Sequence, residues 1–333
     1  MRCWIFRTLV IFVVGLSTCF PFRELKCCEC CFLFFFQYQK YRSSQIDFIL
    51  ENSYDLVDIY LGSKEKTLSS SKYRGVVGQF CKLNWSLQQE NPSTVPMFRD
   101  LKSASNAICT KADLREVVQR AKELELSNGS RSIPPTGVVF HQTRCGSTLT
   151  ANLLASLSPT QTRVYSESPP PLKAFSACSP PSLSSCDSQA HSELIQDVFY
   201  MMGRTLKPEL PKQFVFYKIQ SVGVHNIHAF TMAMPDTPWV FLYRDSIEVM
   251  QSHLSKGQLK WSWKSGQAPV CGRYFGNKNQ PPFTKMVAQS KGKKVADLTQ
   301  AEYCASHLVR VIPSIRKRSL YSFYSIDCSL LPF

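Results

Sequence analysis

From Gly137 onward short apolar runs alternate with segments of helical pattern, and this limits the possible folds more than any other feature of the chain. Gly137–Phe140, Arg163–Ser166, Phe214–Tyr217 and Trp239–Tyr243 read as strands, and helices are expected over Ser147–Leu157, Ser192–Leu206, Val224–Met234 and Ser246–Leu254. Strands that alternate with helices argue for a parallel sheet covered on both faces. The expected class is therefore α/β, a mainly parallel sheet flanked by helices. Ser168–Ser188, rich in Pro, Ser and Cys, reads as a loop. Upstream, Lys111–Leu126 spaces Leu114, Val117, Val118, Ala121 and Leu124 as an amphipathic helix does. Beyond Lys256 the chain is basic and turn-rich, with a helix expected over Thr299–Val311 and a late strand within Tyr324–Pro332. No internal repeat is visible.

The expected organisation is a leader and tether over 1–45, a region packed on the core over 46–132, and the main domain over 133–333. With 44% apolar and 19% charged residues, the chain can bury a sizeable core. Its 39 Lys and Arg against 24 Asp and Glu give a net charge of +15, which favours anionic partners: nucleic acid, membrane surface, or phosphorylated and sulfated small molecules. No basic helix or aromatic platform of the known nucleic-acid modules is present, so nucleic acid is not the expected partner.

Arg2 and Arg7 precede the uncharged, mostly apolar stretch Thr8–Phe22, and Arg23 closes it. The stretch is shorter than the roughly 20 residues of a spanning helix. It suits a signal-peptide core, with a signal-anchor or a buried N-terminal helix as alternatives. Fourteen cysteines are many for a cytosolic protein. The run Cys27-Cys28-Glu29-Cys30-Cys31 lacks the second ligand pair of a zinc site and suits palmitoylation better. Cys81, Cys109, Cys178, Cys186, Cys271, Cys304 and Cys328 are spread as disulfide partners are in an oxidising lumen. Asn84-Trp85-Ser86 and Asn128-Gly129-Ser130 fit the glycosylation pattern. The expected location is the secretory pathway, in the Golgi lumen or membrane-anchored, with secretion as the alternative. Membrane contact is expected only through the N-terminal segment.

The sharpest local feature is the segment Val139–Leu154, an apolar strand that runs through a small-residue turn into a helix. A helix N-terminus presents unpaired amides and partial positive charge, so it suits an anion. Gly146 permits close backbone approach, Ser147 and Thr148 add hydroxyls, and Arg144 adds a charged donor fork. A plain turn capped by Ser147 would also read this way. The Walker pattern is absent, because Ser147 follows Gly146 with no Lys between them.

Thr143-Arg144-Cys145-Gly146-Ser147-Thr148 resembles the 5′-phosphosulfate loop of sulfotransferases, with Thr143 in place of the usual Pro and Cys145 in place of the usual Ser. Trp239–Ser252 is similar to the same family's 3′-phosphate motif, in which an Arg and a Ser eight positions later hold the nucleotide. Arg244 and Ser252 have that spacing, although Asp245 and Glu248 are competing partners for Arg244. The resemblance covers about residues 137–254. It implies a P-loop NTPase-like sulfotransferase fold, 3′-phosphoadenosine-5′-phosphosulfate as donor co-substrate, no metal, and a hydroxyl acceptor on a glycan, lipid or small metabolite. It also implies that Thr143–Thr148, Arg244 and Ser252 bind the donor.

Sulfuryl transfer needs an activated acceptor, a neutralised moving group and a stabilised leaving phosphate. The resemblance assigns Arg144 to the leaving group. Glu167 follows a strand at the carboxyl edge where ligands gather, and the related Ser-Glu-Pro turn implies that it is the base. Lys218 ends another strand and is a candidate donor to the sulfuryl group. Where cytosolic relatives carry a catalytic His, this chain has Gln220. His225 and His228 read as packing or surface residues, and His141 as a loop-entrance group. The family's late Arg-Lys-Gly loop has no counterpart, which suggests a shortened or divergent member. Two other readings stay open: a non-catalytic nucleotide- or ligand-binding relative in the secretory pathway, and a P-loop kinase.

Overall fold

The computed structural model describes residues 42–62, 67–128, 130–178, 186–205, 213–254, 282–299, 301–303, 305–306 and 324–327. The leader, the cysteine run, Gly129 of the second glycosylation pattern, and Cys271, Cys304 and Cys328 lie outside them. So does most of the helix expected over 299–311. Ile46–Phe333 forms one compact unit. Among the described residues no helix is long and apolar enough to cross a membrane.

The central sheet is built from β5 (Gly137–His141), β6 (Thr162–Ser166), β8 (Phe214–Lys218) and β9 (Trp239–Tyr243). All four run parallel, and β10 (Tyr324–Asp327) adds to β9 at the edge, giving the order β10-β9-β5-β8-β6. The molecule is thus mixed α/β with a parallel sheet flanked by helices. Successive strand residues face opposite sides, and both sides are covered. Val138 and Phe140 of β5, Tyr165 of β6, and Val215 and Tyr217 of β8 enter the main core with Phe175, Phe199 and Phe230. Their rings interlock, with Phe199 and Tyr217 centroids 4.6 Å apart and Phe140 and Phe230 5.4 Å apart. The alternate residues Val164 and Phe216 pack under Ala151, Leu154 and Ala155 of the helix Ser147–Leu157.

The helices on the main core side are Pro169–Phe175, Ser188–Gly203 and Ile227–Ala233. The first corrects the expectation of a loop from Ser168. Proline is tolerated in a first turn, where its missing N–H has no helical partner, so Pro169, Pro170 and Pro171 start this helix. Asp187 caps the second by accepting from the Ala190 amide at 2.8 Å, so it begins four residues before the expected Ser192. Ahead of the third, Ser221–Asn226 is a 3-10 turn instead of the α-helix expected from Val224.

The region before residue 132 holds an antiparallel sheet that hydrophobic pattern does not announce. β1 (Asp55–Leu61), β2 (Val76–Cys81) and β3 (Cys109–Asp113) pair in that order. Pairing with β2 draws Lys111–Asp113 into β3, so the amphipathic helix starts at Leu114 instead of Lys111. Cys81 and Cys109 sit opposite each other in register, 4.1 Å apart at Cα, and form a disulfide. Cys178 and Cys186 form another. A short ladder, β4 (Arg131–Ser132) with β7 (Arg204–Thr205), completes the strands among the described residues.

The strand order positions the site. From β5 the chain passes to β6 on one side, whereas the adjacent β9 continues to β10 on the other. Loops leaving neighbouring strands in opposite directions open a crevice at their carboxyl ends, where α/β proteins bind ligands.

Candidate functional site

β5 ends at His141, and residues 142–146 turn into the helix Ser147–Leu157. Gly146 caps this helix with φ 86°, a left-handed conformation open to glycine, and Arg144 in the same turn has φ 60°. The Gly146 carbonyl accepts from the amides of Leu149 and Thr150. The Ser147 and Thr148 amides therefore stand ahead of the helical hydrogen-bond ladder. Gln142 ties the loop to β9: its amide donates to the Leu242 carbonyl at 2.9 Å, and its Oε1 accepts from the Arg244 amide at 3.3 Å.

A cavity of about 360 Å³ opens over this turn, lined by Thr143, Arg144, Gly146, Ser147 and Thr148 of the loop together with His141, Glu167 and Ser252. Arg144 and Ser252, 108 positions apart, meet there: Arg144 Nε donates to Ser252 Oγ at 3.0 Å. Met97 and Ser221 complete the lining. Met97 arrives from the 46–132 region and carries no local signal. Ser221 stands beside Gln220, and the end of β8 is its only mark. Cys145 is buried beside Val139 and Leu242 and does not line the cavity.

Glu167 follows β6 in the left-handed region, φ 60°. Its backbone is clamped there, the amide donating to the Lys218 carbonyl at 2.7 Å and the carbonyl accepting from Gln220 Nε2 at 3.1 Å. Its Oε1 accepts from Lys218 Nζ at 2.6 Å and lies 3.5 Å from His141 Nε2. Burial alone would raise the Glu167 carboxyl. His141 and Lys218 together outweigh burial and hold it at about 2. The group is thus a carboxylate at any working pH, though a weaker base than one poised near neutrality. Both contacts engage Oε1 and not Oε2. Lys218 is 1% exposed and stands behind Glu167, outside the cavity lining. The His141 Nδ1 lies 3.0 Å from the Gln142 carbonyl, so both ring nitrogens face oxygen acceptors.

Arg244 reaches the carboxyl end of β9 but not the cavity lining, and its Nε donates to Glu248 four residues on. That carboxylate occupies the donor edge a nucleotide phosphate would need. His228 is exposed, and neither it nor His225 lines the cavity. Among the described residues no group of three or more His, Cys, Asp or Glu is placed to hold a metal ion. The arrangement is a helix N-terminus and an arginine facing a carboxylate–lysine pair, suited to hold an oxyanion beside a proton acceptor. The chain matches no protein-family model, and a search of curated proteins finds no match.

Proposed function

We propose that the chain is a sulfotransferase of P-loop NTPase-like fold that binds 3′-phosphoadenosine-5′-phosphosulfate and passes its sulfuryl group to a hydroxyl. The observation that carries the reading is the meeting of Arg144 with Ser252 over one cavity, because these residues belong to the two separate stretches expected to hold the donor. In this reading the phosphosulfate lies against the amides of Ser147 and Thr148, and Arg144 neutralises the leaving phosphate. The acceptor oxygen bonds to sulfur as the bond from sulfur to the phosphate oxygen breaks. Glu167 takes the hydroxyl proton, and adenosine 3′,5′-bisphosphate leaves. Lys218 fixes the Glu167 carboxylate and balances its charge, a positioning role in place of direct donation. Arg244 exchanges Glu248 for the 3′-phosphate, one anion for another, so its charge stays paired throughout. The reaction belongs in the secretory lumen, where the two disulfides are stable.

The low proton affinity of Glu167 favours a second reading, a nucleotide-binding protein without turnover. Calorimetry with the bisphosphate and with ATP, followed by transfer from sulfur-labelled donor to a panel of glycan, lipid and small hydroxyl acceptors, separates the cases. Bisphosphate binding with label transfer supports the enzyme. Bisphosphate binding without transfer supports the binder. Preference for ATP would refute the sulfotransferase reading.

A further inference from the structure

A second cavity, of about 310 Å³, lies at the other end of β6. Glu167, just past the carboxyl end of that strand, lines the first cavity, whereas Arg163, near its amino end, lines the second. At about 3.3 Å per residue these two positions are roughly 13 Å apart along the strand. The volume is near the lower bound, about 300 Å³, for small-molecule sites, which suits a single ring with substituents.

The lining is cationic. Lys82, Arg163 and Arg204 contribute three positive groups against the one carboxylate of Asp55. Asp55 is already engaged, accepting from Trp85 Nε1 at 3.0 Å and from the Tyr165 hydroxyl at 3.4 Å. Arg163 stands over the Trp85 ring, 5.6 Å from its centroid, and donates through Nη1 to the Arg204 carbonyl at 3.3 Å. Arg204 in turn donates through Nη1 to the Leu50 carbonyl at 2.9 Å. Its remaining pair, Nε and Nη2, is buried with no hydrogen-bond partner, and so is Oε1 of Gln213 in the same lining. Burial weakens the hold of Arg204 on its proton, with Tyr200 and Glu125 pulling the other way. Nε and Nη2 form the side edge of a guanidinium, whose two parallel donors match the two oxygens of one oxyanion. A buried donor pair of this kind is rare unless something accepts from it. Gln213 Oε1 adds the converse, an acceptor for a hydroxyl.

We propose that this cavity binds one acidic sugar unit, a hydroxylated ring bearing a carboxylate or sulfate, with its oxyanion at Arg163 and Arg204 and a hydroxyl at Gln213. The assignment is independent of the proposed sulfuryl transfer, since none of its residues lines the first cavity. The test is calorimetric titration of the whole protein with glucuronate, glucose 6-sulfate and glucose, with and without adenosine 3′,5′-bisphosphate. The glucuronate and sulfate arms identify which oxyanion is taken. An acidic sugar should bind at one site at least about ten-fold more tightly than glucose, and the bisphosphate should not compete. Arg163→Gln should weaken that binding by about ten-fold or more and leave bisphosphate affinity unaltered. Arg204→Lys keeps the charge but removes the fork and should weaken it as well. If Arg204→Lys fails to fold, Arg163→Gln and the exposed Lys82→Gln decide the matter. Failure of both acidic sugars to bind, glucose binding as tightly as they do, competition by the bisphosphate, or parental affinity in Arg163→Gln would each overturn the assignment. Failure of the bisphosphate to bind would count against the sulfotransferase reading alone.

Discussion

Replacing Glu167 by Gln keeps the side chain's size and removes the charge that faces Lys218. The carboxyl is held at about 2 against an ordinary 4.5, which corresponds to about 3 kcal/mol of folding stability at neutral pH. A folded-state value below the unfolded one means that this stability is present above the unfolded value. It is lost as pH falls through the folded value. The window here therefore runs from about pH 5 down to about pH 1, with roughly half the contribution gone by pH 3. Removing one partner of a buried pair also leaves the other uncompensated, at a cost of about 3–5 kcal/mol, and Lys218 is 1% exposed. The Gln side-chain oxygen still accepts from the ammonium, so about 3 kcal/mol is the expected loss. Urea unfolding of parent and Glu167→Gln at pH 7, 5, 4 and 3 measures it, and the gap should narrow towards acid. A gap under about 1 kcal/mol at pH 7, or one of equal size at pH 7 and pH 3, would refute the argument that Lys218 and His141 depress this carboxyl.

Other expectations concern binding, transfer and the disulfide. In a transfer assay Glu167→Gln should lower turnover by about 10²–10⁴-fold with donor affinity nearly unchanged, and parental turnover would place the base elsewhere. Arg244→Ala should weaken bisphosphate binding by about ten-fold, while Glu248→Gln, which frees Arg244 of its competitor, should strengthen it; calorimetry reads both. Gly146→Ala forces a side chain onto a φ of 86°, so it should cost about 1–2 kcal/mol in thermal unfolding and weaken the bisphosphate. Loss of the Cys81–Cys109 bridge, which joins positions 28 apart, should lower stability by about 3–4 kcal/mol in the Cys81→Ser, Cys109→Ser double variant.

The parallel sheet and its loop are legible in sequence because local patterns there agree with their surroundings. Trp239–Tyr243 is a strand with the expected bounds, and Ser147–Leu157 and Ser246–Leu254 are helices with theirs. The antiparallel sheet is hidden because its strands depend on partners distant in sequence. Val76–Cys81 has Gly78 near its centre, and Cys109–Asp113 has no large apolar residue, so pairing and the disulfide make these strands, not propensity. At the site, short motifs mark Arg144, Glu167 and Ser252. Which charges face each other is a tertiary outcome: Lys218 could as well have pointed at solvent, and Arg244 had two acidic neighbours to choose between. Gln142 and Met97 escape notice since neither residue type announces chemistry.

Arg144 adopts a backbone conformation in which glycine or asparagine would be relaxed, and it is exposed, with its Nε on Ser252. A left-handed non-glycine residue costs about 1–2 kcal/mol, more than one hydrogen bond at an exposed position returns. Selection in the laboratory for heat resistance alone would then favour Arg144→Gly or Arg144→Asn, and the fitter variants would have lost the charge over the cavity. In the proposed site, thermal stability and anion capture would pull this codon in opposite directions. A library sorted separately for each trait would reveal the conflict at position 144 without any knowledge of the substrate.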